Sequence, residues 1–331
     1  MLPTLQRITP DVAVTGKDEC PTTYRHIFGP VPSRRLGSSL GVDLMPHKTC
    51  SLDCVYCECG RTTHLTVAPG DYVPLTLVKE ELSAFLAAAP QLDYITFSGS
   101  GEPTLHSGIG EVAEFIKTNY PQYKLALLTN GTLLGQKEVR RRLLAMDLVI
   151  VSVDAASPEV FLRVNRPHPG LSVEAFEAGL VSFREEFKNN LWAEVFLVPG
   201  CNTAPEELTR IREMLAKFRP DKVQINSLDR PGTESWVAPL TGEELKTAAS
   251  FLHASELLST VRSEQCPGEA ENIADRVLAA VRRRPLTIED ISEMMGVDVA
   301  KVVDKLEKME QKKIVRRISG PRGIFFSAKQ E

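Results

Sequence analysis

Cys50, Cys54 and Cys57 stand with three and then two residues between them in the segment Thr49-Cys50-Ser51-Leu52-Asp53-Cys54-Val55-Tyr56-Cys57-Glu58-Cys59. Three thiols packed this closely suit one soft-metal object better than three separate disulfides or cores. Iron–sulfur clusters are held by cysteine thiolates at spacings of this kind. Three ligands on a four-iron cube leave one iron for a ligand that is not protein, and chemistry can happen there. Two other readings stay open. A structural zinc takes four ligands, commonly as two Cys pairs set apart. Cys59 could supply a fourth thiolate, although the one-residue gap after Cys57 suits a tetrahedron poorly. Disulfides need an oxidising compartment, and seven cysteines is an odd number in a chain whose start, Met1-Leu2-Pro3-Thr4-Leu5-Gln6-Arg7, lacks the basic-then-apolar pattern of an export signal.

The elements that must position these thiols are short β-branched runs alternating with longer amphipathic stretches, from about Ser39 to Leu228. Strands are expected at Leu40–Leu44, Tyr94–Phe97, Leu125–Leu128, Leu148–Val153, Ala193–Val198 and Val223–Ile225. Helices are expected at Leu75–Ala89, Ile109–Thr118, Lys137–Ala145, Val173–Phe187 and Pro205–Phe218. The last should be introduced by Thr203 as cap, with Pro205 early and Glu206 in its first turn. Repeated strand–helix units imply a parallel sheet with right-handed crossovers. Six strands without a Gly-x-Gly-x-x-Gly favour an α/β fold closed into a partial (β/α)6 TIM-like barrel.

The strand ends carry more than the strands. Ser98-Gly99-Ser100-Gly101-Glu102-Pro103 follows Phe97, Thr129-Asn130-Gly131-Thr132 follows Leu128, and Asp154 follows Val153. Pro199-Gly200-Cys201-Asn202 follows Val198, Asn226-Ser227 follows Ile225, and the cysteine loop follows the first strand. In a parallel barrel these ends share one face, where active sites are built. Gly, Asn and Asp also make ordinary turns, but six polar ends beside such a thiol set exceed what turns require.

The bulk numbers restrict the rest. The length of 331 residues has room for two domains. Apolar content of 43%, charged content of 25% and a net charge of −4 describe an ordinary globular protein and argue against a general nucleic-acid coat. No apolar run approaches a membrane span, so no membrane partner and a cytoplasmic location are expected. Residues 1–27 read as an N-terminal extension, 28–261 as the barrel and 262–271 as a linker. Residues 272–331 outline a winged helix-turn-helix: helix Asn272–Arg283, a second helix capped by Thr287 with Asp290 and ending at Gly296, and a third capped by Asp298 with Val299, Val302, Leu306 and Met309 apolar. Strand-like runs Ile314–Ile318 and Ile324–Ser327 then flank a turn. From Glu269 onward 13 Lys/Arg face 11 Asp/Glu, with Arg316, Arg317 and Arg322 concentrated on the wing.

The Cys-x3-Cys-x2-Cys signature with Tyr56 before the third cysteine, together with Gly99-Ser100-Gly101-Glu102-Pro103 in place of a Gly-Gly-Glu-type segment, resembles the radical S-adenosylmethionine (radical SAM) superfamily from roughly Phe28 to Leu228. The stretches Gly29-Pro30-Val31-Pro32-Ser33-Arg34-Arg35-Leu36-Gly37 and Asn165-Arg166-Pro167-His168 look like its iron–sulfur oxidoreductases related to the wyosine-tRNA synthase core. The resemblance implies that Cys50, Cys54 and Cys57 bind a [4Fe–4S] cluster whose fourth iron is chelated by S-adenosyl-L-methionine. It further implies reductive cleavage of that cofactor to a 5′-deoxyadenosyl radical that abstracts hydrogen from a substrate. By the same carry-over, Gly101 and Glu102 meet the SAM amino group, with Glu102 either in contact or fixing its loop, Gly99 and Ser100 belong to the same cofactor-binding segment, and Tyr56 lies against the adenine. Thr129, Asn130, Ser152, Asp154 and Asn226 serve the ribose and methionine ends, and Arg166 pairs with the carboxylate. An external flavodoxin- or ferredoxin-like donor supplies the electron.

Ser33, Arg34 and Arg35 read either as binding a phosphate or carboxylate carried by the substrate or as an exposed basic corner. His47, His64, His106 and His168 read as loop histidines, and Cys201 as a buried thiol or an active-site lining. Wyosine synthases of archaeal type carry extra upstream cysteines for a second cluster. Only Cys20 precedes Cys50 here, and Cys59, Cys201 and Cys266 are scattered. The resulting expectation is an enzyme modifying an RNA base, with a peptide or protein docked on the winged unit as second substrate class and an iron–sulfur redox-sensing DNA-binding regulator as the contrasting reading.

Overall fold

The computed structural model describes residues 24–33, 35–258 and 273–329, without the side chains of residues 273, 275, 276 and 279. Arg34, Cys20, Cys266 and the expected linker lie outside the described residues. The strands are β1 (Ile27–Ser33), β2 (Gly37–Val42), β3 (Thr49–Cys50), β4 (His64–Leu65), β5 (Tyr94–Phe97), β6 (Lys124–Thr129), β7 (Leu148–Ser152), β8 (Asn190–Leu197), β9 (Lys222–Ser227), β10 (Glu256–Leu257), β11 (Val315–Gly320) and β12 (Gly323–Ala328). The helices are α1 (Leu75–Leu86), α2 (Ile109–Asn119), α3 (Lys137–Arg142), α4 (Pro158–Val160), α5 (Val173–Glu186), α6 (Pro205–Phe218), α7 (Gly242–Phe251), α8 (Ile273–Arg283), α9 (Ile288–Met295) and α10 (Val299–Gln311).

One sheet runs β1-β2-β5-β6-β7-β8-β9-β10, with β1 antiparallel to β2 and every other neighbouring pair parallel. Its six central strands are the six expected from the sequence, a partial TIM-like barrel. Both faces of these strands are buried, which is why they read as continuous apolar runs. In β7, Val149 and Val151 join the helix-covered core with Leu82, Ile116, Phe183 and Phe218, while Leu148 and Ile150 pack inward with Leu36 and Ala126. Phe218, which closes α6, is fully buried; truncation to alanine there should cost ~3–5 kcal/mol.

Several local expectations needed correction. β1 was missed because Pro30 and Pro32 suppress a strand reading; as an edge strand it tolerates them. β10, two residues long, has no periodicity to detect. Thr203 does not cap α6: Ala204 holds the cap position without a side-chain bond, and the Thr203 hydroxyl accepts from Gly200 N–H instead. In the C-terminal unit, three helices and the β11–β12 hairpin enclose their own core of Val277, Val281, Ile291, Met295, Val302, Leu306 and Phe326, with Val31 of β1 packed against it. The Thr287/Asp290 capping box forms and Asp298 caps α10, but Val299 is 46% exposed rather than core. Among the described residues no helix is long and apolar enough to cross a membrane.

Candidate active site

The cysteine loop leaves β2 and is closed at its base by parallel pairing of β3 with β4. Two consecutive turns, Cys57 N–H to Cys54 O at 3.2 Å and Gly60 N–H to Cys57 O at 3.1 Å, coil it tightly. It rests on the turn Phe161–Asn165 through Asp53 N–H to Asn165 O and Val55 N–H to Val164 O, both 3.0 Å. Each of the three motif sulfurs faces its own N–H donor. Asn130 Nδ2 lies 3.6 Å from Cys50 Sγ, Asn165 Nδ2 lies 3.5 Å from Cys54 Sγ, and Lys48 Nζ lies 3.1 Å from Cys57 Sγ. These cysteines and Cys59 are free thiols.

Burial pushes the Cys50 thiol up to about 12 and the Cys54 thiol well above its ordinary value. Cys57 falls to about 6, first through the hydrogen bond from Cys59 and then, against burial, through the Lys48 ammonium. Burial presses Lys48 downward, yet the field of Cys57, Cys59 and Cys50 holds it above its ordinary value. Any metal held by these thiols must displace the protons that burial favours on Cys50 and Cys54. Among the described residues no three His, Cys, Asp or Glu side chains converge on the single point a lone ion needs. A cube makes a different demand, one thiolate per iron, which an all-thiol donor set spread along one coiled loop fits.

The Gly99-Ser100-Gly101-Glu102 segment lies against this loop. A Cβ on Gly99 would sit 2.2 Å from Asp43 Cγ, and one on Gly101 would sit 2.3 Å from Thr49 O, so both glycines are needed for close approach. Asp43 anchors the segment by accepting from Ser100 N–H at 3.2 Å and Ser100 Oγ at 3.0 Å. Glu102 is buried, and both its oxygens are occupied: Oε1 accepts from Thr104 and from Thr129 Oγ1 (2.6 Å), Oε2 from Asn130 N–H (2.8 Å). Burial raises its carboxyl, against those bonds. Its visible work is to tie the end of β6 to the end of β5.

Asp154 is the second buried carboxylate. It accepts from Phe196 N–H at 2.9 Å, Asn165 Nδ2 at 2.9 Å and the Tyr56 phenol, and burial lifts it to about 6 despite these bonds. The Tyr56 ring stacks on Phe196, centroids 3.8 Å apart, above an apolar cluster that includes Cys201, Val55 and Val198. Cys201 thus fills core space. Asn226 Nδ2 reaches Glu194 Oε1 at 3.4 Å, and Ser152 stands at the end of β7. Arg166, held in a left-handed conformation with φ 46°, pairs with Glu234 at 2.6 Å. Ser33 accepts within its own turn from Arg35 and Leu36 N–H, and Arg35 turns into the barrel to pair with Glu194 at 2.7 Å, so it is not a free basic corner. His106 is buried and bonds Val73 and Gly108, a loop-fixing role; His168 accepts from Gly170 N–H; His64 and His47 are exposed.

Sequence reasoning missed three parts of this region. Lys48 and Asp43 carry no motif signal. The third is a strap of residues 228–240, where Glu234 N–H donates to Val55 O (3.0 Å) and the Thr233 hydroxyl to Cys57 O (3.2 Å). A Cβ on Gly232 would meet Tyr56 O at 2.8 Å. The C-terminal unit closes on the same strap. Arg322 forks onto Asp290 at 3.0 and 2.8 Å and reaches Asp229 at 3.0 Å; Arg230 lies between Asp290 (3.6 Å) and Glu58 of the cysteine loop (3.5 Å). From α8, Arg283 stands over the Phe28 ring at 4.4 Å and 3.7 Å from Asp43.

The family model for the Radical SAM superfamily matches residues 44–215. A UPF0026 protein of Methanocaldococcus jannaschii is 32% identical over 278 residues, 81% of this chain and 85% of that one. A protein named GTPase Obg from Brachyspira hyodysenteriae is 34% identical over 298 residues, 88% of this chain; the chain spans only 43% of that protein's length. The crystal structure of a radical SAM methyltransferase from Sphaerobacter thermophilus overlays with a TM-score of 0.50 at 15% identity, covering 65% of this chain and 63% of that chain, a likeness of fold.

Proposed function

Because this chain belongs to the radical SAM superfamily, whose enzymes use a [4Fe–4S] cluster and S-adenosylmethionine, we propose that Cys50, Cys54 and Cys57 hold that cluster at the mouth of the barrel. The observation that carries this reading is the loop itself: three thiols on one tight coil, each met by a separate N–H donor. When bound, the two groups supply one-electron cleavage of the sulfonium and a carbon-centred radical that takes hydrogen from a substrate. The residues then divide the remaining work. Asn130, Asn165 and Lys48 orient the sulfurs. Glu102 fixes the loop that presents the Gly99, Ser100 and Gly101 backbone to the amino acid end of the cofactor, with Thr129 and Asn130 beside it. Asp154, held by Tyr56 and Asn165, together with Ser152 and Asn226, faces the nucleoside end. Arg166 receives the carboxylate in competition with Glu234. An external flavodoxin- or ferredoxin-like donor supplies the electron.

In this reading residues 28–261 are the catalytic barrel, 262–271 the linker and 272–331 a winged helix-turn-helix that forms one wall of the mouth. An RNA base is the first substrate class. The state of the wing favours a peptide or protein as a second: Arg322 is committed to Asp290 and Asp229, and Arg317 pairs with Glu310 at 2.9 Å, leaving fewer cations for phosphates. The same commitment counts against a DNA-reading regulator. Oxygen-free protein with reductant and SAM should release 5′-deoxyadenosine. Nucleoside profiles of RNA from cells with and without the chain should then differ at one modified base; unchanged profiles would shift the substrate to peptide.

A further inference from the structure

Lys48 is 3% exposed, and its backbone is locked on both sides: its N–H donates to Ser100 O at 2.9 Å, and its carbonyl accepts from Thr63 and His64 N–H at 3.1 Å. The backbone that carries this buried side chain is thus fixed at the base of the cysteine loop. Its ammonium ends 3.1 Å from Cys57 Sγ, and among the described residues it has no carboxylate partner. A buried ammonium without a counter-charge is costly, and lysine is the more strongly hydrated of the two basic side chains. Asp43 and Asp53, each five positions away along the chain, are engaged elsewhere, Asp43 by Ser100 and Arg283 and Asp53 by Thr62 N–H. The counter-charge left for Lys48 is sulfur. The three donors are also unequal: Cys50 and Cys54 meet neutral amides at 3.6 and 3.5 Å, while Cys57 alone meets a full positive charge, and at shorter range.

We propose that Lys48 is a positioning residue that raises the reduction potential of the cluster through a fixed charge at its Cys57 corner. This rests on the reading that Cys50, Cys54 and Cys57 hold a [4Fe–4S] cluster. One electron from the external donor enters the cluster, no proton moves, and the added negative charge is met by an ammonium already in place. Net charge and hydrogen bonds to the sulfurs set such potentials. The reduced form gains more from Lys48 than the oxidised form does, so a one-electron donor of modest potential suffices.

The test is redox titration of oxygen-free holoprotein followed by electron paramagnetic resonance, with iron and labile sulfide measured on the same samples. Lys48→Met removes the charge and keeps the length; Lys48→Arg keeps the charge. At fixed potential the reduced-to-oxidised ratio should fall at least about tenfold in Lys48→Met, a downward shift of about 59 mV for a one-electron couple. Lys48→Arg should stay within about twofold of wild type, a margin well inside what a unit charge at this range commands. A Lys48→Met cluster that titrates with wild type overturns the proposal. A folded Lys48→Met protein that takes up no cluster also overturns it, since Lys48 then serves assembly. Wild-type protein lacking iron and sulfide would instead sink the cluster assignment itself.

Discussion

Replacing Arg322 with alanine tests whether the C-terminal unit is a wall of the mouth or a freely tethered arm. Arg322 makes two parallel bonds to Asp290 and one to Asp229, with side chains 27%, 15% and 11% exposed respectively. Exposed pairs contribute at most ~1 kcal/mol, and breaking a fully buried one costs ~3–5 kcal/mol. At these exposures, and with bidentate geometry, the loss should be ~2 kcal/mol. The remaining charges make it worse rather than better: Glu58, Asp229 and Asp290 all lie within 3.6 Å of Arg230 and would lose the charge of Arg322 beside it. A loss of ~2 kcal/mol is about a 30-fold change in the docked-to-undocked ratio. Amide hydrogen exchange reads it directly. Amides of residues 228–240 and 54–60 that exchange through undocking should exchange about 30-fold faster in Arg322→Ala, while those of β6 and β7 should not change. Lys at 322, which cannot fork, should lie between. Unchanged exchange in the strap and cysteine loop would refute the coupling of the hairpin to that loop.

The same latch has a pH limit. Although burial works the other way, Arg322 and Arg230 hold the Asp290 carboxyl below its ordinary 3.8. A depressed carboxyl contributes stability that is complete above 3.8 and lost as pH falls through its folded value, so strap protection should fade only below about pH 4. Asp154 behaves oppositely. Its value of about 6 means a contribution complete below 3.8 and lost as pH rises through 6. Between pH 5 and 7 this group alone should cost the fold ~1 kcal/mol, and Asp154→Asn should flatten that part of the denaturation profile; an identical profile would contradict it. Gly232→Val would drive a side chain into the Tyr56 backbone. It should lose ~1–3 kcal/mol and retain less iron after desalting, as read by melting temperature and metal content; full iron retention would show that the strap does not hold the loop.

The sequence made the barrel legible because both faces of each central strand are buried, so that Leu148–Ser152 and its neighbours announce themselves without ambiguity. The thiol loop stood out because the chemistry proposed for it needs fixed spacing. What escaped were residues whose role depends on three-dimensional neighbours alone. Lys48 is one lysine among many until the coil brings Cys57 to it. Asp43 matters through Ser100 and Arg283, which are distant in the chain. Arg35 read as either a substrate-anion site or an exposed basic corner, yet Glu194, placed by a strand more than 150 residues later, draws it into the barrel. The basic wing shows the same limit: the sequence counts Arg316, Arg317 and Arg322, and only the fold reveals that Arg317 and Arg322 are already paired.

Iron, labile sulfide and zinc content of oxygen-free protein, followed by electron paramagnetic resonance of the reduced sample with and without SAM, tests the central assignment most directly. The predicted result is about four iron and four sulfide per chain, a signal that changes when SAM is added, and loss of both in Cys54→Ala. Stoichiometric zinc without labile sulfide, or a cluster retained undiminished in Cys54→Ala, would contradict it.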